Sequence, residues 1–262
     1  INIRPSRSAE AYSAIWTKDG SPLLVHARNQ SKCLAEALAN IYGNEILVDF
    51  GMRYGRPNIA SSLENLISRG VDKLLVLPLY PQYSGPTTGS TFDAISKDFM
   101  RRRWIPEIRF VSSYYDHPAY ITAVVSQIIR HREKYGSADM LIFSYHGEPQ
   151  SYQDAGDPYY SHCNETTNLI VDELGLDSEE YLMTFQSRFG PREWLQPYTD
   201  KVLKELPSNG VKSIQIICPG FPSDCLETIE EINIENKDFF LQAGGERYEY
   251  IECLNSDPLH IT

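Results

Sequence analysis

No stretch of this sequence approaches the ~20 consecutive apolar residues that a membrane-spanning helix needs. Nor is there a basic surplus to mark it for nucleic acid. Its 24 lysines and arginines face 35 acidic residues, a formal charge of −11, and phosphate backbones would repel most of such a surface. The only basic run, Arg101-Arg102-Arg103, closes a helical pattern whose C-terminal end favours cations, so it reads as a solvated helix end. Cysteine is scarce and scattered: five residues, Cys33, Cys163, Cys218, Cys225 and Cys253, and no CxxC pair. That excludes a disulfide framework and points to a reducing cytoplasm. The spacing of Cys163, Cys218 and Cys225 matches no compact zinc or cluster site. A helical HExxH zinc motif, a phosphate-binding glycine loop and a GxSxG nucleophile elbow are absent too. There is no signal-peptide pattern, and Ile1 as first residue points to an incomplete chain.

What is present is an alternation of apolar strands and amphipathic helices across 262 residues, long enough for one large domain or two small ones. Strand patterns fall at 45–51, 73–79, 107–111, 139–145, 181–185, 213–218 and 248–253. Helical patterns fill 4–16, 23–41, 58–69, 86–100, 118–135, 161–174, 198–206, the stretch after Asp224, and 236–243. Residues 148–160 are polar and tyrosine-rich, and read as an irregular excursion. Such alternation means βαβ units and parallel sheets flanked by helices. A short internal echo supports two similar halves, residues 1–117 and 118–262. Leu77-Pro78-Leu79-Tyr80-Pro81 and Cys218-Pro219-Gly220-Phe221-Pro222 both end a strand with Pro-x-aromatic-Pro. Two such halves face each other with a cleft between their strand ends.

The chemistry concentrates at those strand ends. Ser223 and Asp224 are natural N-caps for a helix in which Glu227, Glu231 and Glu235 recur at i, i+4 and i+8. Like charges at that spacing destabilise a helix, and no lysine interrupts the row. A solvated acidic face is one reading; cation binding or proton relay is the other, because open α/β sheets place ligands past their strand ends. His146 follows an apolar strand directly, where a side chain can point into a cleft. A lone histidine there more often makes a structural hydrogen bond, but with Glu227 from another strand it forms a base and a carboxylate suited to a divalent metal. The other five histidines sit in helical or turn contexts and read as structural. Tyr54, Tyr80, Tyr83, Tyr145, Tyr152, Trp194 and Phe221 gather near strand ends, either as half-buried packing or as walls for a flat apolar ligand.

At these residues the chain resembles a known family. Ser144-Tyr145-His146-Gly147-x-Pro149, Phe185-Gln186-Ser187-Arg188-Phe189-Gly190 with Trp194-Leu195, and Cys218-Pro219-Gly220-Phe221-x-x-Asp224-Cys225-Leu226-Glu227-Thr228 look like ferrochelatase, in the form of its Gram-negative bacterial members. Leu79-Tyr80-Pro81-Gln82-Tyr83-Ser84, Thr87-Thr88-Gly89-Ser90 and the Gly20-Ser21-Pro22 turn agree in order.

The resemblance implies the type II chelatase fold, two Rossmann-like domains with a porphyrin in the cleft. It also implies insertion of Fe2+ into protoporphyrin IX to form protoheme, the last step of heme synthesis. Carried over, His146 and Glu227 are the iron-site pair, with His146 also taking a pyrrole proton. Glu231 and Glu235 continue a proton path, and Arg53, Tyr54, Tyr83, Ser187 and Trp194 line the porphyrin slot. Iron is then a substrate, with no prosthetic group and no iron–sulfur cluster, in a cytoplasmic enzyme for which peripheral membrane contact and oligomeric state stay open. Alternatives are a chelatase for coproporphyrin III or another tetrapyrrole, and a heme- or porphyrin-binding module without catalysis. Other branches carry histidine where Cys225 stands. Against the family, the chain lacks a first strand with its Gly-Thr-Pro loop and a closing helix from near Pro258. A fragment is the expectation.

Overall fold

The computed structural model describes residues 12–262; of the helix expected over 4–16, residues 12–15 are helical, Trp16 is not, and 4–11 lie outside the described residues. Helix α1 (Pro22–Tyr42) starts where the Ser21 hydroxyl accepts the Leu24 N–H and Pro22 takes the first turn, where its missing N–H costs nothing. A 3-10 turn (Gly43–Glu45), α2 (Ile59–Ser68), β1 (Lys73–Val76), a π-helical turn (Gly85–Gly89), α3 (Ser90–Phe99) and β2 (Glu107–Phe110) follow. Then come α4 (Pro118–Tyr135), β3 (Met140–His146), α5 (Gln150–Asp154), α6 (Tyr159–Leu174), β4 (Tyr181–Gln186), α7 (Thr199–Glu205) and β5 (Ser213–Ile217). A π-helix (Glu227–Asn236), α8 (Lys237–Gln242), β6 (Arg247–Ile251) and the single turn α9 (Pro258–Ile261) complete the chain.

All strand pairs are parallel. β1 pairs with β2, and a separate four-stranded sheet has the order β4-β3-β5-β6. Side chains alternate across that sheet. Leu141, Phe143 and Tyr145 pack with α4 and α6, while Ile142, Ile214 and Ile216 pack with α7, α8 and the π-helix. The chain leaves β3 for β4 on one side and returns to β5 on the other, so the topological switch point lies between β3 and β5. A crevice at the carboxyl ends of those two strands is where such sheets bind ligands.

Several expectations need correction. The apolar run 45–51 forms no strand: after the 3-10 turn, 46–51 joins no ladder among the described residues. Leu47 packs beside α2 and β1 all the same, partly buried, while Ile46 is exposed. The polar excursion 148–160 contains α5 and the start of α6. Of the basic run, Arg101 and Arg103 are exposed as a solvated helix end should be, but Arg102 bonds Asp98 and Glu64.

The glutamate row does not lie on an α-helix either. The Tyr248 hydroxyl donates to the Ile232 carbonyl and the Asn236 amide to the Glu231 carbonyl. Donors inserted there compete with the i→i−4 ladder and widen it into a π-helix. Asp224 is not its cap. Buried, it accepts from Thr228, Tyr250 and Asn255 and so ties the loop to β6. The echo between the halves runs further than its motif, because each Pro-x-aromatic-Pro segment leads from a strand (β1, β5) into a π-helical turn.

Candidate active site

β3 ends on His146 because the next position admits only glycine. A Cβ on Gly147 would lie 2.7 Å from the Gln186 carbonyl oxygen and 3.5 Å from the Trp194 ring. Gly147 N–H donates to that same carbonyl at 2.7 Å. The chain therefore turns tightly off the sheet, and His146, half-buried, stands at its edge. Its Nδ1 lies 2.7 Å from the Gly147 carbonyl. A carbonyl only accepts, so Nδ1 carries the hydrogen and Nε2 keeps its lone pair for a proton or a metal. The Phe221 ring, from the loop after β5, stands 6.3 Å from the imidazole.

Gln186 joins the two halves of the predicted pair. It ends β4 beside His146 in register, and its amide donates to the Glu227 carbonyl at 2.9 Å. Its own carbonyl accepts from Ser144 at 2.8 Å, which sets the amide's orientation. Buried and satisfied at both ends, this one side chain holds the first turn of the π-helix against the end of β3. Sequence reasoning quoted Gln186 inside a motif but gave it no role. A polar residue closing an apolar strand was the available signal.

Glu231 is held by Ser187. Ser187 gives it a backbone N–H at 2.7 Å and its hydroxyl as well. To do so Ser187 takes φ 64, a left-handed conformation rare for a side chain with a Cβ. Burial pushes the Glu231 carboxyl above its ordinary value, the Ser187 bonds pull it back, and repulsion by Glu227 and Glu235 adds to the rise. The three carboxylates thus remain electrostatic neighbours on the wider π-helical repeat.

The predicted slot residues divide. Trp194 is 5% exposed, donates its indole N–H to the Phe189 carbonyl at 3.0 Å and backs the Gly147 turn. Phe189 lies against it, the more exposed of the two rings. Arg53 bonds Ser90 through its Nε and lies 4.7 Å over the ring of Tyr54, which is 75% exposed. Tyr83 N–H donates to His162, and its hydroxyl abuts Gly89. Tyr80 links the two sides. Burial raises its hydroxyl, and so do the charges of Cys225 and Glu227, while Arg53 lowers it. Tyr12 likewise senses Glu227 and Cys225. Cys225 itself is buried, its thiol pushed up by burial and by Glu227.

One titratable group near His146 escaped the sequence reading. Glu148, buried, accepts a hydrogen bond from Ser84, and burial raises its carboxyl to about 7 against the pull of that bond. Far from this cluster, at the C-terminal ends of α4 and α6, Ile129, Arg132, Glu133, Glu173 and Leu174 line an open depression of about 400 Å3. Helices of a parallel sheet run against its strands, so that depression lies at the sheet's opposite edge. Among the described residues no group of three or more histidine, cysteine, aspartate or glutamate side chains forms a closed metal cage.

Comparison with known proteins agrees over the whole chain. The family model described as ferrochelatase matches residues 1–262. A ferrochelatase of Pseudoalteromonas atlantica is 58% identical over 261 residues, which is 100% of this chain and 72% of that protein. One from Marinobacter nauticus is 55% identical, covering 100% of this chain and 70% of its own length. Among solved structures, SirB from Bacillus subtilis with Fe3+ superposes with a TM-score of 0.62 at 14% identity, over 92% of this chain and 88% of SirB. The sirohydrochlorin chelatase SirB from B. subtilis subspecies spizizenii in complex with cobalt gives 0.61 at 13%, over 90% and 84%. At such identities the likeness is one of fold: parallel sheets flanked by helices.

Proposed function

This chain belongs to the ferrochelatase family, and from that premise we propose that it inserts Fe2+ into protoporphyrin IX to form protoheme, releasing two protons. The observation that carries the reading is the pairing at the switch point. His146 has spent its Nδ1–H on a carbonyl and offers Nε2, while Glu227 is held beside the end of β3 through Gln186. Metallation must strip two pyrrole protons and receive a cation that is held but not caged. Two protein donors leave positions open for the porphyrin nitrogens, unlike a closed four-ligand structural site.

In this reading His146 accepts one proton at Nε2. Glu227 meets the metal or the second proton, and Glu231 passes protons toward Glu235. The raised Glu231 carboxyl suits that task, because a group titrating nearer neutrality both takes and returns a proton. Tyr80, Arg53 and Tyr54 border the cleft from the half formed by residues 1–117, and Trp194 stiffens the His146 turn from the half formed by 118–262. Iron is a substrate here, and the chemistry asks for no prosthetic group. We assign the enzyme to the cytoplasm on its free, unpaired cysteine thiols; separately, no helix among the described residues is long and apolar enough to cross a membrane.

Steady-state turnover of protoporphyrin IX with Fe2+ tests this directly. His146→Ala and Glu227→Gln should each lower kcat by about 10²–10⁴-fold with the fold intact. Glu231→Gln should cost less, and Glu235→Gln least. Near-parent rates in all the glutamate variants would leave the row a structural role only. Turnover of coproporphyrin III but not protoporphyrin IX would reassign the substrate, and porphyrin binding without turnover would leave a carrier.

A further inference from the structure

The loop after β1 enters the other half of the molecule with four consecutive residues, each bonded to it. Gln82 donates to Thr166 at 3.0 Å, Tyr83 N–H to His162 Nδ1 at 3.2 Å, and Gly85 N–H to Asp157 at 2.8 Å. Between them Ser84 donates to Glu148. Of the four, this contact alone reaches the turn that carries His146.

The Glu148 carboxyl is costly for a packing residue. It is 7% exposed, and its hydrogen-bonded partner Ser84 is fully buried. An apolar side chain of similar size would fill the same space without desolvating a carboxyl. The backbone around it shows what the carboxyl achieves. The Gly147 carbonyl that receives His146 Nδ1–H belongs to the peptide plane between Gly147 and Glu148. Glycine restricts that plane little, so its orientation is set by what holds the two ends. Gly147 N–H is held by the Gln186 carbonyl, and the Glu148 carbonyl accepts Leu195 N–H at 2.8 Å. The Ser84 bond is the side-chain anchor of the second end.

We propose that Glu148 is a positioning residue for His146: clamped by Ser84 across the two halves, it fixes the Gly147 carbonyl that binds Nδ1–H and keeps Nε2 open to the reaction. The proposal rests on the functional reading of His146 given above. It assigns Glu148 no contact with substrate and no proton of its own. A hydrogen-bond acceptor of the right length is all that it requires.

The test compares Glu148→Gln, Glu148→Leu, Ser84→Ala and the Ser84→Ala/Glu148→Leu pair in the whole chain. Two readouts serve: kcat and KM for protoporphyrin metallation, and the imidazole 15N shifts of His146 without substrate. Glu148→Leu and Ser84→Ala should each lower kcat about tenfold or more, as small displacements of reacting groups do, with KM held within about twofold. The double variant should be no worse than Glu148→Leu, because both changes break one bond. Glu148→Gln keeps the acceptor and should stay within about threefold of the parent. His146 should show one Nδ1–H tautomer in the parent and a mixture in Glu148→Leu. A Gln variant as impaired as Leu would overturn the proposal, because the carboxylate itself would then be needed. So would a Leu variant with parental kcat and parental tautomer. If Glu148→Leu fails to fold, Ser84→Ala, which removes only a hydroxyl, carries the same test. Retained turnover in His146→Ala would sink the functional reading instead, while the 15N shifts still decide whether Glu148 positions the ring.

Discussion

The two sheets are built from the same kind of strand and end in the same kind of loop, yet they differ in depth. From Leu141 to Tyr145 every residue of β3 is at 0% exposure, covered by helices on both faces and by strands on both edges. Among the described residues β1 has one strand neighbour, and Leu75 at its centre is 67% exposed. Its other face packs on a smaller cluster around Leu63, Leu66, Leu74 and Ile95. The candidate site lies on the deeper sheet: His146, Gln186 and Ser187 are at strand ends, and Glu227 follows β5. The shallower half contributes loops that reach across, such as Gln82 to Gly85. The deeper sheet thus supplies a rigid floor, and the shallower half braces it with buried, hydrogen-bonded residues at its strand end.

The largest break in that contrast should come from the centre of β3. Phe143→Ala removes a fully buried ring between α4 and α6, and a cavity of that kind costs about 3–5 kcal/mol. Urea denaturation followed by far-UV circular dichroism measures it. A loss under about 1 kcal/mol would mean that the core collapses to fill the space, and that the deeper sheet is less rigid than its burial implies.

How far the sequence discloses this asymmetry depends on what each signal measures. Strands β3 and β5 were legible because burial on both faces makes a continuous apolar run. The run 45–51 carries the same apolar signal but joins no ladder, since composition reports burial and only a neighbour supplies pairing. The position of Glu227, Glu231 and Glu235 was legible; their period was not. The i→i+5 repeat depends on Tyr248 and Asn236, one of them on another element. Ser187 could not be read as a glutamate partner, because its left-handed backbone leaves no mark in the residue type. Glu148 stood in plain view as the variable position of Ser-Tyr-His-Gly-x-Pro, but its partner lies 64 residues earlier.

A smaller effect should separate the edge of the deeper sheet from its centre. On β6, burial would raise Glu249, but hydrogen bonds from Arg247, Gln215 and His131 hold it down at about 2. A carboxyl depressed in the folded state stabilises the fold above its unfolded value, and that contribution is lost as pH falls toward the folded value. The window therefore runs from about pH 4.5 down to about pH 2. Solvent screening at this partly exposed cluster keeps the gain to about 1 kcal/mol. Glu249→Gln should be less stable than the parent at pH 6, and the two curves should converge below pH 3. Curves that stay parallel across the window would remove Glu249 as the source of acid sensitivity.

The smallest expected effect bears hardest on the comparison. If the outer face of β1 meets only water, Leu75→Thr exchanges an exposed apolar side chain for a β-branched one that suits a strand. Surface substitutions of this kind stay within about 0.5 kcal/mol. Its denaturation midpoint should match that of the parent, and hydrogen exchange at the amides of β1 should run faster than at those of β3 in both proteins. A loss near 2 kcal/mol would instead equal the burial of a whole leucine side chain. Leu75 would then be covered in solution, and the asymmetry between the sheets would belong to the described residues rather than to the working protein. Repeating the measurement over a hundredfold range of protein concentration separates the possible covers. A second copy makes the loss concentration-dependent, whereas residues of the same chain leave it unchanged.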